Sequence, residues 1–191
     1  MTRSYTLKRR AEQQAETRLR IVEAAVDLHG RIGPAATTVS LIAEEAGVQR
    51  HTVYAHFPDD RSLYMACSAL ALERSPLPDA ETWRAVADSR ARLATGLREL
   101  YAWYEHNAGL AACVLRDAEW HALTRDIVDI RIKPSMQRYA DVLGAGLDLR
   151  GRAMLHLALG FPCWRALVRE SGLSTEAAAD VMAQTVTGIT G

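Results

Sequence analysis

Apolar residues recur along this chain every three or four positions, the period of a helix with one buried face. Near the N-terminus Ile21, Ala25, Leu28 and Ile32 form one stripe, and Gly33-Pro34 stops it, so a first helix is predicted from about Thr17 to Gly33. A second stripe runs Val39, Ile42, Ala43, Ala46. Thr38 stands just ahead of it as an N-cap, its hydroxyl placed to accept the Leu41 backbone N–H. Gly47 follows at once and can take φ > 0 without penalty, so the second helix ends sharply and a third begins near Gln49. The third is short, because Val53 and Phe57 face inward and Pro58 follows. Asp59, three residues before Ser62, caps a fourth helix carrying Leu63 and Leu70.

Pro76 and Pro78 then break the pattern. Between Asp79 and Lys133 there is no proline, and Leu93, Leu97, Leu100 or Tyr101, and Tyr104 repeat at helical spacing. No alternating β pattern competes anywhere. The chain is therefore expected to be all-α, with a basic N-terminal arm over 1–16, a three-helix domain with its connecting helix over 17–75, and a larger helical bundle over 76–191. The fourth helix, from about Asp59 to Arg74, is then the only covalent route between the halves. Pro134 and Pro162 interrupt apolar helical patterns and are expected to bend helices.

Composition narrows the function. Lys plus Arg balances Asp plus Glu at 23 each, so any attraction to nucleic acid or membrane must be local rather than global. The first twenty residues offer such a patch: Arg3, Lys8, Arg9, Arg10, Arg18 and Arg20 against Glu12 and Glu16. A mobile arm of that kind can release counterions from phosphates and reach a minor groove, or it can be a solvated tail. No run of about 18 apolar residues exists to span a bilayer, and the N-terminus lacks the apolar stretch of a secretory signal. A cytoplasmic protein with no membrane partner is expected.

Cys67, Cys113 and Cys163 are odd in number, far apart and without metal spacing, and read as small buried apolar residues. His29, His51, His56, His106, His121 and His156 show no HExxH or His-x-Cys spacing, and no GxSxG or phosphate-binding glycine loop occurs. No catalytic residue, metal or cofactor is expected. The alternatives are a helical enzyme processing a small molecule, or a thiol sensor on the same scaffold. Apolar surroundings such as AACVL argue against a depressed thiol pKa.

The stretch GVQRHTVYAHFPDD, residues 47–60, carries the most specific chemistry. A helix of about seven residues, a glycine turn and another short helix with Gln49, Arg50, His51 and Thr52 facing outward is a helix-turn-helix pattern. Arg50 has the fork geometry for guanine and Gln49 could pair with adenine, while Tyr54 and His56 suit phosphate oxygens. The plain alternative is a solvated helix end. The segment TVSLIAEEAGVQRHTVYAHFP, residues 38–58, resembles the DNA-binding signature of the TetR family of bacterial regulators. Thr38, Ile42, Ala43, Ala46, Gly47, Val48, Val53, Tyr54, His56 and Phe57 all match. Gln49 departs from a usual small hydroxyl residue. Asp60 stands where a phosphate-contacting lysine is usual, leaving Arg61 as the substitute.

The resemblance implies a ligand-responsive regulator, most often a repressor, binding a palindromic double-stranded operator as a homodimer. It further implies that GRAMLHLALGFPCWRALVRESGLSTEAAADVM forms the last two helices, which pair across a two-fold axis. Ala178, Val181, Met182, Thr185, Val186 and Ile189 make an apolar stripe suited to that contact, or one that closes the monomer core. The aromatic residues gather in the C-terminal part. Tyr101, Tyr104, Trp120, Tyr139 and Trp164, with His156 as a polar anchor beside His121 and Arg116, are candidates for a site taking a small apolar or aromatic ligand, or else plain core.

Overall fold

The computed structural model describes the backbone over residues 2–188 and side chains over residues 8–188. Every regular element among these residues is helical. In chain order they are α1 (Thr2–Arg31), a 3-10 turn (Pro34–Ala36), α2 (Val39–Glu45), α3 (Arg50–His56), α4 (Asp60–Arg74), α5 (Ala80–Arg84) and α6 (Ser89–His106). There follow α7 (Ala108–Ala118), α8 (Ala122–Arg131), α9 (Lys133–Leu143), α10 (Leu149–Leu159), α11 (Phe161–Arg165), a π-helical turn (Ala166–Glu170) and α12 (Thr175–Gly188).

Contacts divide the chain into two units. The first comprises Met1–Arg74 together with Ala112–Ile127, and the second Ser75–Ala111 together with Val128–Gly191. The first unit thus takes in a stretch that the sequence reading gave to the C-terminal domain. The chain passes between units after Arg74, after Ala111 and after Ile127, so α4 is not the only covalent link.

In the first unit α1 starts about four turns earlier than its apolar stripe announces. Residues 2–16 hold no glycine or proline and are rich in Ala, Glu, Gln, Lys and Arg, strong helix formers that need no buried face. Side chains from Lys8 to Glu16 are all exposed, so the expected arm is an extension of the helix. The core beneath it joins Ile21, Ala25 and Leu28 of α1 to Ile42 and Ala43 of α2, Val53 of α3, Phe57, and Leu63 and Cys67 of α4. Ile32 lies beyond the end of α1 and is exposed rather than part of the stripe.

The second unit is built around α6. Its Leu93, Leu97, Leu100, Tyr101 and Tyr104 are buried, and α5, α9, α10, α11 and α12 pack against it. The small side chains Ala178, Ala179 and Ala183, with Met182 and Val186, form the buried face of α12. This corrects the expected dimer stripe. Ala178, Met182 and Val186 are closed against the monomer's own α6, because periodicity reports that a face is buried without saying what covers it. Val181 stays 42 % exposed and Thr185 half-buried, its hydroxyl donating to the Val181 carbonyl. Ile189 lies outside the described residues. Pro134 and Pro162 occupy the first turns of α9 and α11, where a missing N–H is harmless; they start helices instead of bending them.

Candidate nucleic-acid interface

The turn between α2 and α3 is specified by its own residues. Thr38 is extended and its hydroxyl accepts the Leu41 N–H at 3.3 Å, capping α2. At the other end the Val48 N–H donates to the Ala43 carbonyl at 2.9 Å and the Gly47 N–H to the Glu44 carbonyl at 3.1 Å. This is the Schellman pattern, and it needs a left-handed residue at Gly47, whose φ is 64°. Gln49 then returns to extended backbone and starts α3. Beyond α3, the Asp59 carboxylate accepts the Ser62 N–H at 2.7 Å and sets the first turn of α4.

One face of α3 is anchored and the other is free. Val53 is buried and Phe57, its C-cap, closes the core. Gln49, Arg50, His51 and Tyr54 are exposed, with Thr52 and His56 half-buried. Among the described residues none makes a side-chain hydrogen bond or ion pair with these six. Such a row of unengaged donors and acceptors on a rigid short helix has the dimensions and chemistry to enter a major groove. Thr38 is exposed at the head of α2, yet its hydroxyl oxygen serves the cap, leaving its proton for an outside acceptor.

Two cations flank this helix. Arg18 of α1 lies over the Phe57 ring, 4.7 Å from its centroid, and so sets an exposed positive charge at the C-terminal end of α3. The sequence counted Arg18 only within the basic patch of the first twenty residues; its place beside α3 depends on how α1 crosses the other helices. Arg61, the substitute for the usual lysine, reaches Asp126 of α8 at 3.4 Å. Both side chains are more than half exposed, so this pair is weak enough to yield to a phosphate.

The family model for bacterial regulatory proteins, tetR family, matches residues 21–67, which span the core of α1 through α4. Over these residues the chain is similar to the DNA-binding region of the TetR family. Solved TetR-type structures share its fold over most of the chain. PfmR, a TetR-family transcriptional regulator from Thermus thermophilus, is 21 % identical, with a TM-score of 0.62 over 87 % of this chain and 96 % of that one. The fatty acid degradation regulator FadR from Bacillus halodurans is 18 % identical, with a TM-score of 0.63 over 91 % and 95 %. A TetR-like regulator from Rhodococcus is also 18 % identical, with a TM-score of 0.62 over 90 % and 93 %. No curated protein matches the chain by sequence.

The residues nominated for a ligand do not form one group. Tyr101, Tyr104 and Trp164 lie together in the second unit with Phe161, ring centroids 5.2–6.4 Å apart. The Tyr101 hydroxyl donates to the Ala158 carbonyl at 2.9 Å and the Tyr104 hydroxyl to the Leu159 carbonyl at 2.7 Å. Tyr139 packs elsewhere, its ring 4.8 Å from that of Trp83 and its hydroxyl bonded to the Pro78 carbonyl. Burial raises the pKa of all three tyrosines above the ordinary phenol value. His156 is exposed on α10, and Trp120 is 66 % exposed in the α7–α8 turn of the first unit. Arg116 and His121 also belong to that unit. Burial pushes the Cys67 thiol up to about 12, which leaves it unreactive.

Proposed function

We propose that this protein is a transcriptional repressor that binds a palindromic operator as a homodimer and releases it when a small apolar or aromatic compound binds the second unit. The observation that carries the DNA-binding part is the exposed, unengaged polar face of α3 on a turn held rigid by Thr38 and Gly47. One seven-residue helix reads few base pairs, so two copies must enter successive major grooves about 34–36 Å apart, which a two-fold dimer provides. Exposed Leu149 and Leu157 on α10 and Val181 on α12 support these helices as the dimer face. On this reading the protein is a binding protein rather than an enzyme, and acts where the DNA is, in the cytoplasm.

Support for a ligand is local. Trp164 is fully buried among Tyr104 and Phe161, and its indole N–H has no acceptor among the described residues. A π-helical turn follows it, an irregularity frequently found at functional sites. A flat apolar compound with one acceptor would satisfy that N–H on displacing a neighbouring ring.

Enrichment of random duplexes on the full chain tests the proposal, with an inverted repeat as the expected product. On that repeat Arg50→Ala should weaken binding by about 1–3 kcal/mol, and Tyr54→Phe should weaken all sequences by a similar factor. Failure to enrich any sequence, or full affinity in both variants, refutes the assignment of α3 to the groove. For the ligand, compounds that quench tryptophan fluorescence should also lower operator affinity about 5–150-fold. A broad screen of apolar compounds that changes neither property removes the ligand from the proposal.

A further inference from the structure

Helix α7 begins in the second unit and ends in the first, and its last turn grips the backbone that leads into α2. Asp117 is only 1 % exposed. One of its carboxylate oxygens accepts the Ala35 backbone N–H at 2.9 Å, in the 3-10 turn between α1 and α2. The other accepts from Arg116 at 2.7–2.8 Å, and Arg116 in turn donates to the Ile32 carbonyl at 3.1 Å. The carbonyls at the end of α1 and the N–H groups of the turn are those that a helix end leaves without partners, so one Arg–Asp pair satisfies both sides of the break. From the opposite element, the Tyr64 hydroxyl of α4 donates to the Pro34 carbonyl at 2.7 Å. Gly33 has φ 95°, and a side chain there would run into Arg116 and Asp117. The chain is held where α1 hands over to the reading helices.

We propose that Asp117 is a positioning residue for DNA reading: its carboxylate fixes the turn before α2 and thereby the orientation of α2 and α3. This rests on the DNA-binding reading above. A buried carboxylate is a demanding way to fasten a turn, since it must be fully paired, and here its pairing joins α7 to the start of the helix-turn-helix. Any shift of α7 is then delivered to Ala35, three residues before the Thr38 cap, without α4 moving. Loss of the clamp lets the turn sample several orientations. Apparent affinity for a specific site then falls with the fraction of molecules correctly set, while phosphate-driven binding to random sequence changes little.

The test uses the full chain, the duplex that the wild type enriches, and a random duplex. In Asp117→Ala, amide exchange at Ala35 should accelerate while Ile21–Leu28 in α1 remains protected, and the ratio of specific to random affinity should fall about tenfold or more. Asp117→Asn keeps an oxygen for the Ala35 N–H but turns an amide NH2 toward the Arg116 donors, so it should restore protection at Ala35 and part of the ratio, a rescue that general loosening of the fold would not produce. Unchanged exchange at Ala35, an unchanged ratio in the Ala variant, or an Asn variant as defective as Ala overturns the positioning role and leaves DNA binding standing. If the wild type enriches no duplex, the DNA-binding reading fails and the positioning role falls with it, whatever the exchange at Ala35 shows.

Discussion

His29 sits at the end of α1 with its ring 5.1 Å from that of Tyr64 and its Nε2 without a partner among the described residues. Burial lowers its pKa from 6.5 to about 4, outweighing the nearby Asp117 carboxylate, which raises it. In the unfolded chain the imidazole protonates near its ordinary value. The unfolded state therefore binds more protons between about pH 6.5 and pH 4, and stability falls as pH drops through that window. The loss should approach about 3 kcal/mol once pH is below the folded value. Urea midpoints at about pH 7 and about pH 5 measure it, and His29→Leu should remove most of the difference. Parallel pH dependence in wild type and variant would exclude His29 as the cause. Arg50 is the contrasting case: exposed and unpaired, it should contribute to DNA affinity and almost nothing to folding.

At the scale of elements, α2 and α3 are seven residues each, too short to be stable alone, so their end groups matter as much as their buried faces. Thr38→Ala removes the acceptor for the Leu41 N–H and should destabilise the fold by about 1 kcal/mol. At Gly47 the space that a side chain would occupy is open and only the positive φ opposes substitution, so Gly47→Ala should cost about 1–2 kcal/mol. Chemical denaturation of the two variants checks both figures. A Gly47→Ala protein as stable as wild type would mean that the left-handed turn is not required. The stretch Lys8–Glu16 of α1 shows the converse, helix written in residues of high propensity with no buried face.

For the whole molecule, the two valines of α12 separate assembly from folding. Val186 is fully buried against the monomer core, so Val186→Glu should unfold the second unit, since an unpaired carboxylate would be trapped there. Val181 is exposed, so Val181→Glu should leave the circular dichroism spectrum intact and give monomers where the wild type is a dimer. Light scattering at micromolar concentration distinguishes these outcomes. A folded Val181→Glu protein that stays dimeric would place the interface elsewhere. The repeated passage of the chain between the units also changes what switching can use: α7 and α8 each have residues in both, whereas α4 lies in the first and ends at the boundary.

What the sequence determined by itself is local. The Thr38 cap, the Gly47 turn, the Asp59 cap and the inward Val53 and Phe57 each depend on residues within a few positions, and periodicity and hydrogen-bonding groups read directly from the chain specify them. The family signature lies on that same stretch. Only the tertiary structure decided the partners of faces that were merely apolar or merely charged. The stripe of α12 could have covered a second copy and instead covers α6, and the nominated aromatics divide between separate places. Arg116, a candidate ligand anchor by composition, binds the end of α1 instead. Asp117 carries no mark in the sequence, because its role rests on an N–H that lies 82 residues earlier and comes within 2.9 Å only when α7 packs beside the turn.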